Sequence, residues 1–303
     1  MSDAAPLLTG PLSVVIPSYG KSPHLRSVLK GILANSRAPD AVIVSHSGTH
    51  NPQEWIASEF PQVVVLHTCE RLFAGAARNR GARHAGDGLI AFTDDDTVPA
   101  RNWLQRVCEN LSAHPGRFVV GSVGTAQTGG YWGMSLWLCE FSEQAPWRPA
   151  GIQAGGASCN LAMRKEDLKR AGWFPEDFRA GQDTMLLHAL RTIGLVQMFD
   201  PSMKVDHYNI SGFGHFRRHL INQGRHFAKV RRARKMPGSF ATAFWPLSPL
   251  LAVAKAIRIF SRLIKSRRYA DMIRFAPGIV IGSAIWGAGC AYAAATGRFS
   301  GRY

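Results

Sequence analysis

Leu89-Ile-Ala-Phe-Thr-Asp94-Asp95-Asp96-Thr-Val-Pro99 decides how the rest of the chain is read. Its first five residues form an uninterrupted apolar run closed by a threonine, the pattern of a strand buried on both faces. Three carboxylates follow at once. The residues upstream repeat the theme. Leu12–Pro17 (LSVVIP), Ala41–Ser45 (AVIVS) and Val63–His67 (VVVLH) are short runs rich in β-branched residues and read as three further strands. Between them lie helical patterns. One starts at Ser22-Pro23, read as a cap with proline at the first helical position, and carries Leu25, Val28, Leu29 and Ile32 on one face. Asn51-Pro52 opens a second, and Ala74–His84 is a third made mostly of small residues. Strands spaced by helices imply right-handed crossovers, so the expected fold class is α/β with a mostly parallel central sheet flanked by helices.

Downstream the pattern is less regular. Gly121–Pro149 is rich in glycine and aromatics without a clear period and is expected to be loop. Order returns at Asn160–Met163, then in helices over 165–171 and 183–193, then in two short strands at Val196–Asp200 and Lys204–Tyr208. No internal repeat is found.

The chain has 303 residues, 46% hydrophobic and 18% charged, which suits a large core and excludes wholesale disorder. The five cysteines show no C-x-x-C spacing, so neither a disulfide framework nor a cysteine zinc site is expected. The N-terminal MSDAAPLLTG lacks the basic residues of a signal peptide. The net charge of +16 is unevenly placed. Up to Ile210 there are 19 basic and 19 acidic residues; from Ser211 onward 17 Lys and Arg face the single acid Asp271. A neutral body with a basic tail predicts a polyanionic partner.

The tail also carries two apolar features. FATAFWPLSPLLAVA (Phe240–Ala254) is uncharged and broken by Pro246 and Pro249, and leads into a helix bearing Lys255, Arg258, Arg262 and Lys265. Phe275–Gly297 holds 23 residues without a charge, long enough to span a bilayer though rich in Gly and Ala. Basic residues beside apolar helices suit anionic headgroups, which makes a membrane surface the expected partner and the cytoplasmic face the expected side. The attachment is expected to be peripheral, monotopic or a single C-terminal span. Long uncharged runs serve nucleic-acid binding poorly, so nucleic acid is not expected. The boundaries implied are an α/β body over 11–210 and a basic, amphipathic and apolar helical tail over 211–303.

The chemistry centres on Asp94-Asp95-Asp96. Adjacent carboxylates at a strand end repel one another and are costly to bury without a cation. Ligands of open α/β sheets gather at the carboxyl ends of the strands, and Mg²⁺ or Mn²⁺ takes oxygen ligands together with substrate phosphates. The plain alternative is a solvated acidic turn capping the next helix.

Four segments in this order, LSVVIPSYG, FAGAARNRGARHAGDGLIAFTDDDTVP, GGASCNLAMRKEDLKRAGWF and GQDTMLLHALR, resemble the family 2 glycosyltransferases of the GT-A fold. The resemblance runs from about Leu12 to His207. It implies a Rossmann-like domain in which Asp94 and Asp96 meet a divalent metal (Mg²⁺ or Mn²⁺) on the diphosphate of a nucleotide-sugar donor, with Asp95 between them against the donor. It places Pro17 and Tyr19 along the nucleoside and Arg78 and Asn79 near the nucleotide. Asp183, in Gly181-Gln182-Asp183, matches the family's aspartate near the acceptor and is the candidate general base; its plain reading is an N-cap. His207 matches a histidine that completes the metal site, an assignment a lone histidine beside Asp206 does not carry by itself. His46, His50 and His67 receive no role. The implied reaction is inverting transfer of a sugar to a lipid-linked or glycan acceptor, for cell-envelope polysaccharide or glycolipid synthesis. A nucleotidyltransferase using the same metal-phosphate logic and a non-catalytic membrane adaptor are the rival readings.

Two positions depart from the family pattern. Ser45-His46-Ser47-Gly48 stands where acidic residues usually hold the base and ribose, and Gln182 stands where glutamate is common. The glycines between 121 and 133 lack the spacing of a phosphate loop. GIVIG (Gly278–Gly282) suits close helix packing.

Overall fold

The computed structural model describes residues 10–114, 116–233, 236 and 239–298. The elements in chain order are β1 (Leu12–Tyr19), α1 (Leu25–Leu33), β2 (Ala41–Ser47), α2 (Gln53–Glu59), β3 (Val63–Thr68), α3 (Ala74–His84), β4 (Leu89–Thr93), β5 (Thr97–Pro99), α4 (Trp103–Ala113), β6 (Arg117–Gln127), α5 (Gly130–Phe141), β7 (Gly151–Ile152), β8 (Asn160–Arg164), α6 (Lys165–Arg170), α7 (Gln182–Thr192), β9 (Val196–Tyr208), α8 (Phe213–Ala233), α9 (Ser239–Ala243), a 3₁₀ turn (Trp245–Leu247), α10 (Ser248–Lys265) and α11 (Tyr269–Thr296). They fall into two compact units. The first comprises 1–126 and 149–207; the second comprises 127–148 and 208–303. The second unit therefore holds 127–148 as well as the tail expected over 211–303.

The first unit is built on the sheet β3-β2-β1-β4-β8-β6-β9-β5, with β7 on β9. Strands β1 to β4 pair in parallel. β8 runs antiparallel to β4 and β6, and β5 and β7 run antiparallel to β9, so the sheet is mixed rather than mostly parallel. The reason lies in the connections. The first strands are joined through α1, α2 and α3, helical crossovers that bring the chain back for another parallel strand, whereas β4 runs on to β5 and β7 to β8 with no helix between. β1 is buried from Leu12 to Ser18 and β4 throughout, as their unbroken apolar runs require. α1 buries Leu25, Val28, Leu29 and Ile32.

Several expectations are corrected. Helix α1 starts at Leu25 with no side-chain cap; Ser22 instead donates its hydroxyl to the Asp95 carbonyl at 3.2 Å. The two late strands are one, β9, whose turn at Pro201 is held within the strand by Asp200 accepting from the Ser202 backbone and hydroxyl. The expected loop over 121–149 contains a strand and a helix. Its glycines serve close packing: a Cβ on Gly121 would stand 2.0 Å from the Met203 carbonyl, and one on Gly124 2.1 Å from Asp206 Oδ1. α5 shows no period because it buries nearly its whole length, from Gly133 to Phe141.

Asn160 ties the antiparallel half together. Its carbonyl oxygen accepts from Trp103 Nε1 at 2.8 Å, and its amide donates to the Ser122 and Met203 carbonyls at 2.8 and 2.7 Å, all fully buried. Asn160→Ala strands these buried groups and is expected to lower stability by about 3 kcal/mol in urea denaturation.

Within the second unit, α11 is packed by α5, α8 and α10. Small residues permit the approach: Gly278 lies against Ser135, Gly282 against Cys139 and Phe216, and Gly289 against the Ile221 carbonyl. GIVIG thus packs as its small residues suggest.

Candidate active site

The turn after β4 is fixed by Thr97. Its hydroxyl accepts from the Asp94 backbone N–H at 2.9 Å, donates to the Asp94 carbonyl at 3.0 Å and meets Thr93 Oγ1 at 2.7 Å. Held in this way, Asp94, Asp95 and Asp96 line one cleft with Pro17, Ser18, Tyr19, Leu72, Ala74, Ala77 and Arg78. The cleft encloses about 230 Å³. Its walls are the ends of β1 and β4 and the N-terminal turn of α3, the place an open sheet reserves for ligands.

α3 reaches this position because it is made of small residues. A Cβ on Gly81 would meet Val15 Cγ1 at 2.5 Å, and one on Gly75 would meet the Pro175 carbonyl at 2.5 Å. Arg78 is thereby driven under the cleft, where it is 2% exposed. Its Nη2 forms an ion pair with Asp94 Oδ1. Its Nε and Nη1 are buried and have no hydrogen-bond partner among the described residues. A buried guanidinium with donors unspent is expensive unless an anion arrives to accept them.

The carboxylates are also strained electrostatically. Burial pushes Asp94 above the ordinary range, against the pull of Arg78 and with repulsion from Asp96. Asp95 is pushed up to about 7, first by burial and then by Asp96, with Ser18 and Ser22 opposing. The folded chain therefore holds a proton on Asp95 that the unfolded chain has already released. Stability of the metal-free protein is expected to fall as pH rises from the ordinary carboxylate range towards about 7. Asp95→Asn should flatten that slope in denaturation curves taken across the interval.

His207 reaches the cluster through β-pairing. Its register partner is Thr97, which sets Nε2 3.5 Å from Asp96 Oδ2. Among the described residues no group of three or more His, Cys, Asp or Glu is arranged to hold a metal by itself. An oxygen-rich donor set of two carboxylates, destabilised by their own repulsion, still fits a hard divalent cation whose remaining positions are filled by phosphate oxygens.

The other expected residues are placed as follows. Pro17 and Tyr19 line the cleft, with the Arg71 guanidinium 4.5 Å over the Tyr19 ring. Asn79 does not line it. Its amide donates to the Phe174 carbonyl and Glu176 Oε1, both at 2.8 Å, and its oxygen accepts from Phe174 N at 3.0 Å; it ties α3 to the segment before α7. Asp183 is not in the lining. It sits one residue inside α7, which opens at Gln182 after the left-handed Gly181, so it is not the N-cap. Its Oδ1 accepts from Thr184 N at 2.7 Å. The start of α7 nevertheless abuts the start of α3: a Cβ on Gly75 would lie 3.4 Å from the Gln182 side chain, beside Ala74 of the cleft wall. Gln182 Oε1 is buried without a partner among the described residues.

Sequence reading missed Ser18 and the histidines behind it. Ser18, His46 and His67 form one row across β1, β2 and β3. His46 donates from Nε2 to the His50 carbonyl at 2.7 Å, which leaves Nδ1 to accept from Ser18 Oγ at 3.0 Å. Burial lowers the His46 pKa, so the ring is neutral and fits that pattern. His67 stacks on it with centroids 5.7 Å apart. The flanking Ser45 and Ser47 hydroxyls are buried and unpartnered among the described residues. The alternation of β1 and β2 was the available signal, since residues opposite one another in parallel strands share a face.

Residues 13–171, just over half of the chain, match the family model described as glycosyl transferase family 2. The chain belongs to this family. Among curated proteins it is 23% identical over 178 residues to the glycosyltransferase AglE of Haloferax volcanii, covering 57% of this chain and 58% of that one. It is 26% identical over 205 residues to the pre-mycofactocin glycosyltransferase of Mycobacterium tuberculosis, covering 65% and 42%. The chain thus spans about half the length of these relatives. Its fold is that of a solved structure, the mannosyltransferase PcManGT from Pyrobaculum calidifontis in complex with GDP-Man and Mn²⁺. There the TM-score is 0.54, at 21% identity, with 98% of this chain and 79% of that one covered. This family 2 chain therefore has the GT-A type of fold that its motifs implied.

Proposed function

We propose that this chain moves a sugar from a nucleotide-sugar donor to a lipid-linked or glycan acceptor, with a divalent cation, Mg²⁺ or Mn²⁺, held by Asp94 and Asp96 and flanked by His207. The observation that carries the reading is the pairing of opposites in one cleft: three crowded carboxylates, of which Asp94 and Asp95 are pushed above their ordinary pKa by burial, and a buried arginine with two donors unspent.

The unspent Nε and Nη1 of Arg78 would donate to oxygens of the donor diphosphate. The N-terminal end of α3, at Ala74, adds backbone N–H groups and a positive dipole end on the same wall. Pro17 and Tyr19 would lie along the nucleoside. When bound, the cation neutralises negative charge that builds on the departing phosphate. Asp183, in the first turn of α7, would take the proton from the attacking acceptor hydroxyl, and single displacement with Asp183 opposite the leaving group inverts the anomeric centre. A membrane surface on the cytoplasmic side supplies the acceptor in this reading, which suits the basic second unit and an envelope polysaccharide or glycolipid product.

A panel of nucleotide-sugars, incubated with Mn²⁺ and a membrane lipid extract and scored by nucleoside diphosphate release, tests the proposal. One donor should turn over and should stop on chelation. Release of pyrophosphate would identify a nucleotidyltransferase instead, and no turnover with any donor would overturn the reading.

A further inference from the structure

The second unit wears part of its polarity the wrong way round for a helix facing water. On α10 two of the four basic residues expected to face headgroups turn inward. Lys255 is half-buried, donates to the Cys139 carbonyl at 2.8 Å and lies 5.1 Å from the centre of the Trp286 ring; desolvation lowers its pKa. Arg262 reaches Ser142 Oγ at 3.2 Å and Glu143 Oε2 at 2.8 Å. The outward stripe is instead Leu250, Val253, Ile257 and Ile264, with Leu250 64% and Ile257 61% exposed. These residues recur at helical spacing along about four turns. The segment just before α10 continues the apolar surface with Phe240, Phe244 and Trp245, all exposed. Arg258, Lys265 and Arg267 are exposed beside the stripe.

We infer that this unit docks on an anionic lipid bilayer through the outward face of α9, the 3₁₀ turn and α10, with α10 lying in the plane of the headgroups. The inference deepens the membrane part of the proposed function and rests on it. Aliphatic side chains would enter the acyl boundary, Phe240, Phe244 and Trp245 would sit at the headgroup level, and Arg258, Lys265 and Arg267 would meet lipid phosphates. Charge chooses lipid over a second copy of the chain: with 17 basic residues against one acid from Ser211 onward, two copies brought face to face would repel.

The long apolar helix α11 has a different place. Although it is long enough to cross a bilayer, it is packed lengthwise by α8, with Gly282 on Phe216 and Leu220 and Gly289 on the Ile221 carbonyl. α8 carries Arg217, Arg218, Arg225, Lys229, Arg231 and Arg232. A spanning α11 would draw these charges into hydrocarbon, which is strongly unfavourable. It serves this unit as its central packed helix.

The test is flotation of the full chain with vesicles of phosphatidylcholine, with and without phosphatidylglycerol. Wild type should float with the anionic vesicles and release at high salt. Leu250→Glu/Ile257→Glu should weaken flotation by about tenfold or more, since two inserted side chains are replaced by charges facing an anionic surface. Val280→Glu, at an exposed position of α11, should leave it unchanged. Nucleoside diphosphate binding, measured on each variant, reports folding and stands apart from the membrane result. Flotation that resists the α10 double change or is abolished by Val280→Glu would overturn the inference. So would failure to float while nucleotide binding is intact, or a dimer without lipid that the α10 change disrupts.

Discussion

Asp96→Asn is expected to lower sugar transfer about 10³-fold with saturating donor and Mn²⁺, measured by nucleoside diphosphate release. The side chain keeps its shape and loses its charge. Asp96 faces His207 at 3.5 Å and repels Asp94 and Asp95, so the metal-free protein should be no less stable without that charge. A loss of activity together with equal or higher thermal stability separates a functional carboxylate from a structural one. An acidic turn that merely capped a helix would show neither effect.

Asp183→Asn should cost about 10²- to 10⁴-fold in transfer while donor affinity stays near wild type, because only the attacking hydroxyl depends on that carboxylate. The placement supports the role without a cleft contact. Asp183 stands in the first turn of α7, whose Gln182 lies against Gly75 at the start of α3, next to the wall formed by Ala74. The split between a lost kcat and a kept donor affinity is the diagnostic. Near-normal turnover would remove Asp183 from the mechanism.

The half of the fold up to Thr93 was legible in the sequence because parallel strands buried on both faces read as nearly continuous apolar runs. Val14–Ile16 of β1, Val42–Val44 of β2 and Leu89–Phe92 of β4 are of this kind. The half after it was not. Gly121 and Gly124 read as loop residues, but they are small because β9 and Asn160 come too close for a Cβ. No local pattern reports a long-range approach of that kind. The same applies to the site. Asp94, Asp95 and Asp96 announced themselves by mutual repulsion, and Arg78 came with the motif. Asn79 came with it too, yet its amide is spent on Phe174 and Glu176. Ser18 and His46 were passed over because their partnership exists only across the β1–β2 pairing. On α10 the spacing of the basic residues was legible but their direction was not, since Glu143 and the Cys139 carbonyl that turn Arg262 and Lys255 inward are more than a hundred residues away.

The most direct test of the central claim is calorimetric titration of the full chain with UDP, GDP, CDP and dTDP, each with Mn²⁺ and with a chelator. One of these should bind at least about tenfold more tightly with Mn²⁺, and the difference should vanish in Asp94→Asn/Asp96→Asn. Binding equally strong under chelation, or unchanged in the double variant, would contradict the claim that these carboxylates grip a diphosphate through a cation.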